Sequence, residues 1–358
     1  MSVYSIIIGS GKYIPNLVVK NEVFLSNSFF NDKGEKILKK NEDIINKLQE
    51  ITEIEERRYL DPDLNTSDMA FYASEKAISD AGIDSETLDY IIVAHNFGDI
   101  RHDNQKSDLV PTLASRVKHL LKIENPDCVA YDLPFGCPGW LQGVIQADYY
   151  IKSGDAKRIL VIGAETLSRI SDPHDIDSMI YSDGAGAVIL EGKSSDTPIG
   201  ILAHKTRTDT LTQAHYLKMD ISYDPDFKDN TLFLKMNGRK LYEYALTNVP
   251  LVVKQTIEKA GLTIQEIKKV LIHQANAKMD AAILARTFKL FEVEVIPEKI
   301  MPMSISKLGN NSVATIPILY DMIVKEELED QAIHSGDYLV LASVGAGMNV
   351  NALIYLVP

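Results

Sequence analysis

Three residue types sit where they could do chemistry rather than merely solvate a surface. The first is Cys137, in "YDLPFGCPGWLQGVIQADYYIKSG", between a tight apolar turn and the start of a helical pattern. The preceding "CVAYDLPF" reads as a strand entering that turn, and Pro138 suits the first position of the helix. Trp140, Leu141, Val144, Ile145, Ala147 and Tyr149 then predict a largely buried helix. A thiol at a helix N-terminus faces unpaired amides and the positive end of the helix dipole. Its pKa is therefore expected to fall below the free value, with more thiolate at neutral pH. A sharp strand-to-helix turn is also the geometry that exposes a nucleophile. The only other cysteine, Cys128, follows "NPD" and fits a small core residue with no chemistry.

A thiolate needs partners. Of eight histidines, His273 in "VLIHQANAKMD" emerges from a buried strand directly before a helical run, and the ends of parallel strands are where such sheets place their sites. His95 has nearly the equivalent place earlier in the chain, displaced by one residue. In "SKLGNNSVATIPILYDMIV" a glycine turn again precedes a buried helix, and Asn310 and Asn311 fall where Cys137 falls in the first such segment. "LASVGAGMN" ends a strand in a small-residue turn whose Gly345 and Gly347 suit a close backbone approach to a ligand.

These groups are positioned by a chain that repeats itself. "AISDAGIDSETLDYIIVAHN", from Ala77, matches "TIEKAGLTIQEIKKVLIHQA", from Thr256, half the chain later. In both, a helix stops at Ala-Gly, a short polar helix follows, and a buried strand comes next. "SGDAKRILVIGAE", from Ser153, matches "SGDYLVLASVGAG", from Ser335, at nearly the same spacing. Each half reads as strands alternating with helices, which predicts two superposable mixed sheets covered by helices on both faces. The expected halves are residues 1–192, with the cysteine, and 193–358, with the histidine and asparagine. The charged run at 31–50 predicts a solvated helix or helical insertion.

Composition narrows the function. The 358 residues are 45% hydrophobic, enough for two core-bearing halves. A net charge of −13 from 37 basic and 50 acidic residues argues against a general nucleic-acid binder, so any acidic partner must find a local basic patch. There is no apolar run long enough for a membrane span, and "MSVYSIIIGSGKYIP" lacks the pattern of a signal peptide, so a cytoplasmic protein is expected. Two cysteines cannot form a disulfide framework or a metal cage.

Taken in order, "GSGKYIP", "FGCPGW", "ETLSRISDPHDIDSMIYSDGAGAVIL", "IHQAN", "LGNNSVAT" and "SVGAGMN" resemble the β-ketoacyl-acyl-carrier-protein synthase III family over nearly the whole chain. The resemblance implies an α/β protein with the thiolase-like duplicated mixed-sheet αβαβα layered sandwich, usually a homodimer, working without a cofactor. It implies a catalytic set of Cys137, His273 and Asn310, with oxyanion donors at the amides of Cys137 and Ala346. It further implies decarboxylative condensation of an acyl thioester with malonyl-acyl-carrier protein, of the fatty-acid initiation type. Gly345 and Arg169 fall on substrate contacts, Arg169 as an adenine-stacking group. Lys278, Arg286 and Lys289 fall on the basic stripe that receives the acidic acyl carrier protein.

There are departures. Lys47 and Ile51 replace the family's tryptophan and arginine around the coenzyme A adenine, and Arg239 and Glu243 replace an asparagine and a lysine. Coenzyme A and carrier protein both stay open as the acyl donor. Val110, in "LVPTLASRV", stands where an aromatic residue limits the partner subunit's acyl pocket. It predicts medium or longer acyl groups unless Leu109 or Leu113 refills the space. The alternative is a specialised ketosynthase or acyltransferase of a secondary pathway, of aryl polyene or dialkylresorcinol type, using longer acyl groups.

Overall fold

A computed structural model describes residues 2–358. In chain order the first half contains β1 (Ser2–Tyr13), β2 (Leu17–Lys20), α1 (Asn41–Thr52), β3 (Glu56–Tyr59), α2 (Thr66–Ala81), β4 (Tyr90–His95) and a hairpin of β5 (Asp99–Arg101) and β6 (Asn104–Asp108). It continues with α3 (Leu113–Leu120), β7 (Val129–Pro134), α4 (Gly139–Ser153), β8 (Arg158–Thr166) and β9 (Asp183–Ser195). The second half contains β10 (Gly200–Thr208), a hairpin of β11 (Leu217–Asp220) and β12 (Phe233–Met236), α5 (Gly238–Lys259), β13 (Ile267–Ile272) and α6 (Ala277–Leu290). Then come α7 (Ile305–Leu308), α8 (Thr315–Val324), β14 (Tyr338–Gly345) and β15 (Asn349–Leu356).

Among the described residues two large sheets form, in the orders β1-β9-β8-β4-β7 and β10-β15-β14-β13. Strand polarity repeats as well: β4 with β8 corresponds to β13 with β14, both parallel, β7 adds a further parallel pair with β4, and the pairs onward through β9 and β15 are antiparallel. The element equivalent to β7 is reduced to one backbone bond, from Val270 N to Ile300 O at 2.8 Å.

The layers follow from where apolar residues fall. Helices α2 and α3 cover the outer face of the first sheet, packing Met69, Ala73, Ala77, Leu113 and Val117 on Ile91, Val93 and Ile162. On the second sheet α5 and α6 do the same through Val249, Val253, Ile283 and Phe288. Between the sheets lie α4 and α8, whose Trp140, Leu141, Val144, Leu319 and Ile323 share one core with strands of both sheets. A helix covered on two sides must be apolar nearly all round, as "TIPILYDMIV" is. Each such large side chain contributes about 1.5–3 kcal/mol on full burial.

Three local expectations are corrected. The run 31–50 is helical only from Asn41. Before it, the Asn31 side chain accepts from the amides of Lys33 and Glu35 and makes a turn instead, a habit of asparagine. Pro138 is the residue before the helix, with φ −71°, rather than its first residue. Tyr149 is exposed, edge-on to His204 of β10, because its position faces the edge strand of the second sheet rather than the core between the sheets.

Candidate active site

The N-terminal ends of α4 and α8 meet between the sheets, so the turns that precede them face each other. Gly136 has φ 69°, and a Cβ there would lie 2.8 Å from the amide nitrogen of Ala346. A Cβ on Gly345 would lie 2.6 Å from the amide nitrogen of Cys137. Only glycine allows backbones this close. The approach brings the amides of Cys137 and Ala346 to one wall of a cavity of about 260 Å³.

Cys137, His273 and Asn310 all line that cavity, together with Asn96 and Ser312. Its remaining walls are largely apolar: Phe97 and Leu167 from the first half, Leu217, Met219, Leu234 and Met236 from the β11–β12 hairpin, and Met279 from α6. A few convergent polar groups in an apolar cleft is the usual form of a small-molecule site.

The cysteine's expected acidity is overturned. Burial pushes the Cys137 thiol up to about 11, while a hydrogen bond from Ser312 Oγ to Sγ, at 3.5 Å, pulls it down. The nearby Glu165 charge adds to the rise. Sγ lies ahead of the helix proper and against apolar walls. The helix terminus, worth roughly 0.3–1 kcal/mol at exposed sites, is outweighed by lost solvation.

His273 extends the β13 ladder, donating its backbone N–H to Ala342 O at 2.9 Å. Its ring is buried, which drives its pKa down to about 4, and Nδ1 has no hydrogen-bond partner among the described residues. At neutral pH it is an uncharged imidazole. Asn310 is clamped by its backbone, accepting from Ser182 N and donating to Ile180 O. Its Oδ1 accepts from Ser312 N at 2.8 Å, which leaves Nδ2 as the donor it can offer. Asn311 turns away, donating to Asp183 O at 2.9 Å.

The structure separates the other candidates from this cavity. Arg169 is buried and its guanidinium is taken up by Ile100 O, Asp61 O and Asn65 Oδ1, so the stacking role is not available to it in this conformation. Val110 is 86% exposed and lines no part of its own chain's cavity. Lys278, Arg286 and Lys289 lie exposed on α6. Lys278 pairs with Glu50 at 3.1 Å and Arg286 donates to Leu246 O. Lys47 pairs with Glu50, and Arg239 with Glu243, both on the surface. His95 is consumed structurally by Asp132 at 2.9 Å and by the amide of Gly98. Sequence reasoning missed Asn96, Ser312 and Glu165. Asn96 follows a parallel strand end, a usable signal, whereas Glu165 carries none.

Among the described residues no group of three or more His, Cys, Asp or Glu side chains could hold a metal, and no helix is long and apolar enough to cross a membrane.

The family model for 3-oxoacyl-[acyl-carrier-protein (ACP)] synthase III matches residues 131–210, and its C-terminal counterpart matches 257–357. The β-ketoacyl-[acyl-carrier-protein] synthase III of Staphylococcus aureus is 34% identical over 350 residues, 96% of each chain. The crystal structure of 3-oxoacyl-[acyl-carrier-protein] synthase III from Aquifex aeolicus superposes with a TM-score of 0.79 at 28% identity, covering 98% of this chain and 99% of that one. The Thermus thermophilus synthase III matches with TM-score 0.79 at 29% identity, covering 99% of both. The duplicated frame is therefore the thiolase-type α/β sandwich, and the protein is an acyl-transferring condensing enzyme. It belongs to the 3-oxoacyl-[acyl-carrier-protein] synthase III family.

Proposed function

We propose that the protein condenses an acyl thioester with malonyl-acyl-carrier protein through an acyl-Cys137 intermediate, releasing carbon dioxide and a β-ketoacyl-acyl-carrier protein. The observation that carries the assignment is the convergence of Cys137, His273 and Asn310 on one apolar cavity beside the Ala346 turn. Residues 1–192 then supply the nucleophile and 193–358 the two side-chain donors. In the first step Sγ attacks the thioester carbonyl, an S–C bond forms, and the donor's C–S bond breaks. The thiol proton leaves with the departing thiol. The amides of Cys137 and Ala346 are placed to hold the transient oxyanion.

In the second step the malonyl C–C bond to the carboxylate breaks and its electron pair moves toward the thioester oxygen as an enolate. His273 Nε2 and Asn310 Nδ2 donate to that oxygen. A neutral imidazole can donate without first being a base, and the low pKa of His273 supports this role. The carbanion then attacks the acyl carbonyl, C–S cleavage releases Cys137 as a thiolate, and a proton taken from solvent restores the thiol.

The relatives matched at 28–34% identity over nearly their full length are synthases III, so we adopt that reading over a specialised ketosynthase. Acyl carrier protein would dock on the α6 face of Lys278, Arg286 and Lys289, in the cytoplasm. A homodimer would cover the exposed Val110, Leu109 and edge-strand Val129, and would give Val110 a place in the other protomer's acyl pocket. Of the remaining substrate contacts, Gly345 works through its backbone, and Arg169 would have to leave its present partners to meet adenine. Intact-mass measurement after incubation with acyl-coenzyme A and acyl-carrier donors tests the proposal. One acyl mass on Cys137 is expected, and an unmodified chain with every donor overturns it.

A further inference from the structure

Ser312 stands at the centre of the site without belonging to the triad. Its Oγ lies 3.5 Å from Cys137 Sγ, and among the described residues no hydrogen bond joins His273 to that sulfur. Its backbone is held at φ 50°, in the left-handed region where a residue with a side chain is strained, by its own N–H donating to Asn310 Oδ1 at 2.8 Å. Strain of this kind persists only where surrounding structure imposes it, and it gathers at functional sites. The hydroxyl is oriented from behind. Asn96 Nδ2 donates to Ser312 Oγ at 3.4 Å, leaving the serine proton free to point at sulfur. Asn96 is fixed in turn by the buried Glu165, which accepts from Asn96 Nδ2 at 2.5 Å and from Asn96 N at 3.1 Å.

We infer that Ser312 is a further catalytic residue, whose hydroxyl donates a hydrogen bond to Cys137 Sγ and stabilises the thiolate during acyl transfer, and that Asn96 is the positioning residue that aims it. The inference rests on Cys137 being the nucleophile. No proton leaves Ser312: the O–H bond stays intact while the thiol proton departs with the donor's thiol. The arrangement answers a conflict built into the site. Burial and the Glu165 charge both oppose a thiolate. Interposing an amide and a hydroxyl turns the carboxylate's proximity into oriented dipoles that favour it. The other titratable groups facing Glu165 are His95, tied to Asp132, and Asp183, which accepts from Ser168 and Leu60.

The test compares wild type with Ser312→Ala, Asn96→Ala and the double variant in two reactions. One is alkylation of Cys137 by iodoacetamide across pH, read by intact mass and peptide mapping. The other is decarboxylation of malonyl-carrier protein, which needs His273 and Asn310 but not the sulfur. Ser312→Ala should slow alkylation about tenfold at neutral pH and move its midpoint upward, as expected on losing a hydrogen bond to a charged group. Decarboxylation should stay within about threefold, since the bond that orients Asn310 comes from the Ser312 backbone. Asn96→Ala should shift the profile the same way by less, and the double variant should match Ser312→Ala. An unchanged profile in Ser312→Ala, or equal losses in both reactions, overturns the catalytic role. Additive losses in the double variant overturn the positioning role. Failure of the nucleophile assignment would show separately, as an acyl adduct on Cys137→Ala.

Discussion

The two halves share strand order and polarity, yet corresponding places do opposite work. His95 and His273 both stand at the C-terminal end of the strand that pairs in parallel with its half's central strand. In the first half a fifth strand, β7, brings Asp132 against His95, and both ring nitrogens are occupied. Among the described residues of the second half that strand is reduced to a single backbone bond, no carboxylate pairs with His273, and its Nδ1 has no hydrogen-bond partner. The turns before the central helices diverge likewise, with a thiol in one and a carboxamide in the other. A duplicated frame offers two equivalent stations. Which of them is reactive is decided by whether neighbouring strands consume its polar atoms.

The comparison breaks most sharply at the cysteine. Cys137→Ala should abolish the acyl adduct seen by intact mass, while Cys128→Ala should keep it. Cys128 is buried 2% exposed in the outer core, where loss of one sulfur costs stability but no chemistry. Next, His273→Ala or Asn310→Ala should slow malonyl decarboxylation about a hundredfold or more while acyl transfer falls far less. His95→Ala should instead lower the melting temperature without that selective loss. Decarboxylation at wild-type rate in both site variants would dissolve the assigned asymmetry between the halves.

A third effect follows from backbone contact. Gly345→Ala would drive a Cβ to 2.6 Å from Cys137 N, pushing the 346 turn away and slowing acylation about tenfold or more, measured as the rate of adduct formation. The fourth concerns pH. The folded His273 pKa lies near 4, below the usual histidine value, so the neutral imidazole is present at all pH above that. Decarboxylation by Cys137→Ala should therefore show no loss attributable to this ring between about pH 8 and 5, and a break near 6.5 that vanishes in His273→Ala would refute the low value. The same shift makes protonation oppose folding, so its stabilising contribution fades as pH falls from about 6.5 toward 4. The smallest effect is expected from Val110→Phe, which should tilt donor preference toward acetyl when acetyl and octanoyl donors compete. Each buried methylene is worth about 0.8 kcal/mol.

Much of this was legible in the chain. Periodicity and the two internal echoes located the repeated units, because a helix stop such as Gly82 or Gly261 and a buried strand are local signals. Local pattern pointed to Cys137 at a helix start and His273 at a strand end, whereas Asn310 was told apart from Asn311 only by the resemblance of "LGNNSVAT" to the family's motif.

What the chain alone left undetermined depends on neighbours brought from far away. The acidity expected of Cys137 was reversed because apolar walls from β11, β12 and α6 remove water from the thiol, a cost that no helix start can reveal. Arg169 looked available and is instead locked by carbonyls of residues 61 and 100. Asn96, Glu165 and Ser312 come from three separate segments and acquire meaning only when hydrogen bonds of a few ångströms join them. Sequence determined where strands, helices and turns with reactive groups would stand, because those depend on near neighbours. Tertiary structure decided solvation and hydrogen-bond partners, because these are set by whichever distant atoms arrive to replace water.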